Sequence, residues 1–82
     1  MKTVVILPVA AKFLRRNRAE AGRIIAKIES YAADPATFAN NVKRLTGSTA
    51  LRLRIGDFRV IFEETETEII VTKIGPRGSI YD

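Results

Sequence analysis

Apolar and polar residues alternate most regularly at Leu51-Arg52-Leu53-Arg54-Ile55, and the alternation resumes at Phe58-Arg59-Val60 after Gly56-Asp57. A period of two marks a half-buried strand, and Gly-Asp between two such runs marks a tight turn. With Gly56 and Asp57 as a two-residue loop, Ile55 faces Phe58, Arg54 faces Arg59, Leu53 faces Val60 and Arg52 faces Ile61. Leu51, Leu53, Ile55, Phe58, Val60 and Phe62 then share one face, and Arg52, Arg54 and Arg59 share the other with Ile61 as the exception. Like charges directly opposite in an antiparallel pair are destabilising. Such a face needs either solvent to screen it or an anion to bind.

Elsewhere the pattern changes period. Thr3-Val4-Val5-Ile6-Leu7 is apolar without alternation, as expected of a strand in mid-sheet or covered on both sides. Pro8 suits the first turn of a helix, and the following VAAKFLRR fits a short one with Phe13 inward and Val9 as a second candidate. Asn17 with Glu20 three residues on resembles a capping box. Ala21, Ile24, Ile25, Ile28, Tyr31 and Ala32 then form a 3.6-residue stripe that Asp34-Pro35 ends. Residues 35–49 read as a connection anchored by Phe38, with Val42 and Leu45 in support and a turn at Thr46-Gly47-Ser48. Strands follow at about 50–55, 58–63 and 68–74, and Gly75-Pro76 breaks the last.

This order, β-α-α-β-β-β, predicts an α+β fold over residues 1–82 as a single domain. An antiparallel meander is joined by the N-terminal strand, and a helical hairpin packs on one sheet face. The arginine face is then open. The loop around Glu64–Thr67 sets the register of the last strand, and its sequence leaves Lys73 assignable to either face.

Composition narrows the chemistry. Among 82 residues there is no Cys and no His, so neither a disulfide nor the usual nucleophilic dyads are available and a zinc site is not expected. The carboxylates gather near turns, which does not favour a divalent-metal centre, and no metal or other cofactor is expected. No apolar run approaches a membrane span, so no membrane partner is expected, and the absence of Cys fits the cytoplasm. The net charge of +5 favours a polyanion, nucleic acid first. Residues 1–47 carry nine basic and three acidic residues, whereas residues 48–82 carry five and six. The arginines of the second half are therefore segregated from its acids, Glu63, Glu64, Glu66 and Glu68.

If Arg77 and Tyr81 fold back towards the arginine face, the set becomes four guanidinium groups and one phenol. That set suits metal-free cleavage of RNA by its own 2′-hydroxyl. Arginine forks match phosphate oxygens, and a phenol among cations has its phenolate favoured. The simpler reading, that the arginines only hold phosphate, stays open on charge alone. Base stacking on an aromatic sheet face is disfavoured, because Phe13, Tyr31, Phe58 and Phe62 fall on core faces.

The run RLTGSTALRLRIGDFRVIFE, with VTKIGPRGSIY after it, resembles the RelE/ParE superfamily of toxin–antitoxin toxins, the RelE branch best. The likeness is most specific over residues 44–81. It implies a RelE-like fold and cleavage of mRNA in the ribosomal A site, hence inhibition of translation. By position, Arg59 and Arg77 would hold and stabilise the scissile phosphate, Tyr81 would be the base, and Arg52 and Arg54 would bind RNA. Pro76 departs from the His or Lys of many relatives. The implied partners are the ribosome with its mRNA and a cognate antitoxin, which Lys12, Arg15, Arg16 and Arg18 would help to bind. DNA would be reached only through the antitoxin. The alternatives are a ParE-like inhibitor of DNA gyrase and an inactive toxin that only binds its antitoxin.

Overall fold

A computed structural model describes residues 1–79. Strand β1 (Thr3–Ile6) leads into helices α1 (Pro8–Arg16) and α2 (Arg18–Ala33), then a 3₁₀ helix (Pro35–Asn41). Strands β2 (Val42–Arg44), β3 (Leu51–Ile55), β4 (Phe58–Glu64) and β5 (Glu68–Pro76) complete the chain. They form one sheet in the order β1-β5-β4-β3-β2, with β1 parallel to β5 and every other pair antiparallel. The expected α+β architecture is present, with one strand more than expected.

Both helices cover the same sheet face. Ile24, Ile28, Tyr31 and Ala32 of α2 meet Leu53, Ile55, Val60, Phe62, Ile69 and Val71 in one buried core. The rings of Tyr31 and Phe62 meet edge-on at 5.2 Å, and those of Phe13 and Phe58 at 5.9 Å. In α1 the inward residues are Ala10 and Leu14, with Phe13 half-buried against the core. Val9 instead is 65% exposed, because a nine-residue helix can turn only one narrow stripe to the sheet.

Four local expectations need correction. The capping box does not form: the Asn17 amide donates back to the Phe13 carbonyl at 2.8 Å, and Glu20 pairs with Arg23. The one-residue link between α1 and α2 leaves Asn17 serving the end of one helix rather than the start of the next. Strand β1 lies at a sheet edge; its unbroken apolar run is half-buried, with Val4 and Ile6 against the core. Residues 42–44 are a strand, too short for its alternation to register against the surrounding polar sequence. Finally, Gly75-Pro76 does not stop β5. Parallel pairing with β1 ends at Val71, so beyond it one side of β5 has no neighbouring strand and the missing N–H of Pro76 costs no ladder bond.

The hairpin of β3 and β4 has the expected register, with Arg54 opposite Arg59 and Arg52 opposite Ile61. Between β4 and β5 the register shifts: Ile61 pairs with Lys73 but Phe62 pairs with Val71. Thr72 is the extra residue, and its hydroxyl donates to the Ile61 carbonyl at 3.2 Å. The bulge reconciles two parities, because Ile69 and Val71 must face the helices and so must Ile74. It therefore turns Lys73 to the arginine side.

Candidate nucleic-acid interface

The face away from the helices carries the cations. Direct pairing places Lys43 of β2 opposite Arg52 of β3, Arg52 opposite Ile61 of β4, and Ile61 opposite Lys73 of β5. The next row runs from Arg54 to Arg59 to Gly75. Paired Cα atoms lie about 4.5–5.5 Å apart, so the two rows form a compact basic field. Ile61 is no gap in this surface: it is buried beneath Leu45 and Ala50, which close over it from the loop before β3.

Arg59 lies at the centre of the field. Its Nη1 donates to the carbonyls of Gly56 and Phe58, both at 2.9 Å, which pins the guanidinium to the hairpin turn. Burial first, then the positive charges of Arg52, Arg77 and Arg54, lowers its pKa from the ordinary arginine value, with Asp57 opposing. An arginine stays protonated at any working pH. Beyond burial, the shift reflects the neighbouring positive charges, which an anion would offset. Arg77 joins this group because its backbone N–H donates to the Asp57 carbonyl at 2.7 Å, tying the end of β5 to the β3–β4 turn.

Lys43, Arg52, Arg54 and Arg59, together with Asn40 and Asn41 from the end of the 3₁₀ helix, line a cavity of about 120 Å³. The site thus brings together Arg52, Arg54, Arg59 and Arg77, four of the five residues expected there. Tyr81 lies outside the described residues. The sequence reading missed Lys43, Asn40 and Asn41 because it took residues 35–49 for a connection. Lys73 was legible in principle: the change of apolar parity from Ile69 and Val71 to Ile74 requires a bulge that fixes its face.

Lys12, Arg15, Arg16 and Arg18 are elsewhere. They are exposed on α1 and at the start of α2, on the helical layer. Arg15 and Arg18 flank an open cleft of about 540 Å³ whose apolar wall is Leu14 and Ala21. Among the described residues no group of His, Cys, Asp and Glu could hold a metal ion, and no described helix is long and apolar enough to cross a membrane.

A helical hairpin on one face of a five-stranded sheet, with a basic field on the other, defines a small α+β protein. The family model described as the ParE toxin of the type II toxin–antitoxin system, parDE, matches residues 4–81. The chain belongs to that family and is a toxin of a toxin–antitoxin module, within the RelE/ParE superfamily. Among solved structures it is similar to the archaeal RelE–RelB complex from Pyrococcus horikoshii OT3, at 26% identity and TM-score 0.76, over 96% of this chain and 98% of that one. The RelBE2 toxin–antitoxin complex of Mycobacterium tuberculosis gives 18% identity and TM-score 0.66, over 93% and 98% of the two chains. YafQ from E. coli strain BL21(DE3) gives 12% and 0.68 over the whole of both chains. The last two likenesses concern the fold. A comparison with curated protein sequences gives no significant match.

Proposed function

We propose that this toxin is a metal-independent endoribonuclease that cleaves mRNA in the ribosomal A site and so inhibits translation in the cytoplasm. The observation that carries the reading is the gathering of Arg52, Arg54, Arg59 and Lys43 round one cavity, with Arg77 tied to the same turn. The 2′-oxygen of one nucleotide attacks the adjacent phosphorus, the P–O5′ bond breaks, and the products are a 2′,3′-cyclic phosphate and a 5′-hydroxyl. Arg59 and Arg77 hold the scissile phosphate and stabilise the charge that builds on its equatorial oxygens, a task suited to bidentate guanidinium donors. Arg52, Arg54 and Lys43 hold the flanking phosphates. Tyr81 is the base assigned by resemblance: as phenolate it takes the 2′-hydroxyl proton, and the leaving 5′-oxygen is protonated from solvent.

A cognate antitoxin is the expected protein partner. Complexes of RelE with RelB and of RelBE2 among the similar structures support it. Lys12, Arg15, Arg16 and Arg18 offer an acidic segment a basic surface on the helical layer. DNA is reached only through the antitoxin.

The decisive experiment maps 5′ ends on a reporter mRNA in a bacterial cell-free translation reaction, with translation running or blocked. New ends within codons, dependent on translation and reduced at least ~100-fold by Arg77→Ala, are expected from the loss of one transition-state donor. Intact mRNA with normal translation would remove the reading. The family match to ParE toxins specifically favours one second reading, inhibition of DNA gyrase. A supercoiling assay with the same protein tests it.

A further inference from the structure

A second cavity lies round the edge of the sheet from the basic field. Strand β2 pairs only with Leu51–Leu53, so Arg54 and Ile55 continue past it with no strand beside them on that side. The 3₁₀ helix and α2 border the gap. The cavity has a volume of about 210 Å³ and an apolar wall from Leu53, Ile55 and Phe38, with Arg23, Lys27 and Arg54 as its cations. It shares Asn41 and Arg54 with the smaller cavity on the open face. The two are therefore adjoining parts of one path that leads from the basic face round the edge towards α2.

The edge cavity has the parts that a nucleotide needs. A base requires a flat apolar surface and a neutral amide for its edge, and its phosphate requires cations. The Lys27 ammonium is 5.8 Å from the centre of the Phe38 ring, and the Arg23 guanidinium is 5.9 Å from that of Phe58, so both charges lie over apolar surface. Arg23 also donates to Glu20 at 2.7 Å and is partly neutralised. Lys27 and Arg54 have no carboxylate partner among the described residues. The Asn41 side chain makes no hydrogen bond among them either, which leaves its donor and acceptor for a ligand.

We infer that this edge cavity is a second nucleotide subsite, which seats the base next to the scissile phosphate against the half-buried Phe38 ring and its phosphate between Lys27 and Arg54. The inference rests on the ribonuclease reading and extends it: the open face holds the reacting phosphate, and the edge cavity holds the neighbouring nucleotide. Asn41, on the shared wall, is the residue placed to read the base edge. The sequence preference of cleavage would then depend on residues that carry no part of the chemistry.

The test titrates isotopically labelled protein with a 2′-O-methylated RNA trinucleotide, which lacks the nucleophile, and separately with inorganic phosphate. Phosphate is expected to move the backbone amides of Arg52, Arg54 and Arg59. The trinucleotide should move these and also the amides of Phe38, Asn41 and Gly56. Lys27→Ala on exposed α2, where alanine favours helix, should weaken the trinucleotide about tenfold or more, the loss expected for one charge-assisted contact. Movement confined to the open face, or equal binding by the variant, overturns the edge subsite and leaves the ribonuclease reading intact. No response to the trinucleotide at all also overturns the subsite, while the translation assay with Arg77→Ala judges the ribonuclease reading independently.

Discussion

Glu64 shows how one carboxylate can serve the scaffold while its neighbours in sequence only decorate a turn. It ends β4 on the helical side, accepts from the Lys2 ammonium at 2.6 Å through Oε2 and from the Tyr31 hydroxyl at 2.6 Å through Oε1. Burial works against its charge, but the hydrogen bonds from Lys2 and Tyr31, and then the Lys2 charge, hold its pKa below the ordinary carboxylate value. Tyr31 is driven the other way: burial first, then the bond to Glu64 and its charge, raises the phenol well above its usual range. The consequences for stability have opposite signs. Glu64 contributes stability that is present above its unfolded pKa of about 4.3 and is lost as pH falls through its lower folded value. Tyr31 contributes stability that is present below about pH 10 and is lost as pH rises beyond it, where the unfolded phenol ionises and the folded one does not. Glu64→Gln is therefore expected to cost about 1–3 kcal/mol at pH 7. It should also flatten the acid limb of a stability profile measured by urea denaturation between pH 3 and 7. An acid limb as steep as that of the wild type would show that another carboxylate carries it.

At the scale of elements, the β3–β4 hairpin was the most legible part of the chain, and the reason is local. Its register follows from a two-residue loop and from alternation on both sides, so no distant contact is needed to read it. The loop itself shows why glycine stands first: Gly56 has φ +55°, and among the described residues no residue other than glycine has positive φ. Positive φ at the first loop position alone is the signature of a type II′ turn, which matches the twist of a hairpin. A Cβ at Gly56 would meet only the Arg23 guanidinium nitrogens at 3.9 Å, an ordinary contact, so the cost of a side chain there is backbone strain. Gly56→Ala should cost about 1–2 kcal/mol, read as a lower urea midpoint at unchanged slope. An unchanged midpoint would mean that the turn relaxes without the glycine. What depended on distant contacts was less legible. Strand β2 has three residues and exists because β3 offers an edge to pair with. Strand β5 runs through Pro76 because β1 has already ended. The Thr72 bulge could be read only from the conflict of parity between Val71 and Ile74. The site followed the same division: Arg52, Arg54 and Arg59 could be placed from the hairpin alone, whereas Lys43, Lys73 and Asn41 reach it through tertiary pairing.

For the whole molecule, the two faces of the sheet are in energetic opposition. One face buries the core, and the other crowds cations that repel one another across Arg52, Arg54, Arg59 and Arg77. A pair such as Arg54 opposite Arg59 costs about 0.2–1 kcal/mol, a noticeable fraction for a small domain. An anion that binds the folded face and not the unfolded chain returns this stability, by RT ln(1 + [L]/Kd). At phosphate ten times above its Kd the gain is about 1.4 kcal/mol, which for a domain of this size raises Tm by roughly 6–11 °C. Chloride at equal ionic strength only screens the repulsion and should give a smaller rise. Arg54→Gln separates the two effects. It removes the repulsion from Arg59 together with one phosphate donor, so the variant should melt slightly higher than the wild type without phosphate and gain less from adding it. A variant that melts lower and gains as much would show that the arginines are screened by solvent, that Arg54 stabilises the hairpin by packing, and that the anion binds elsewhere.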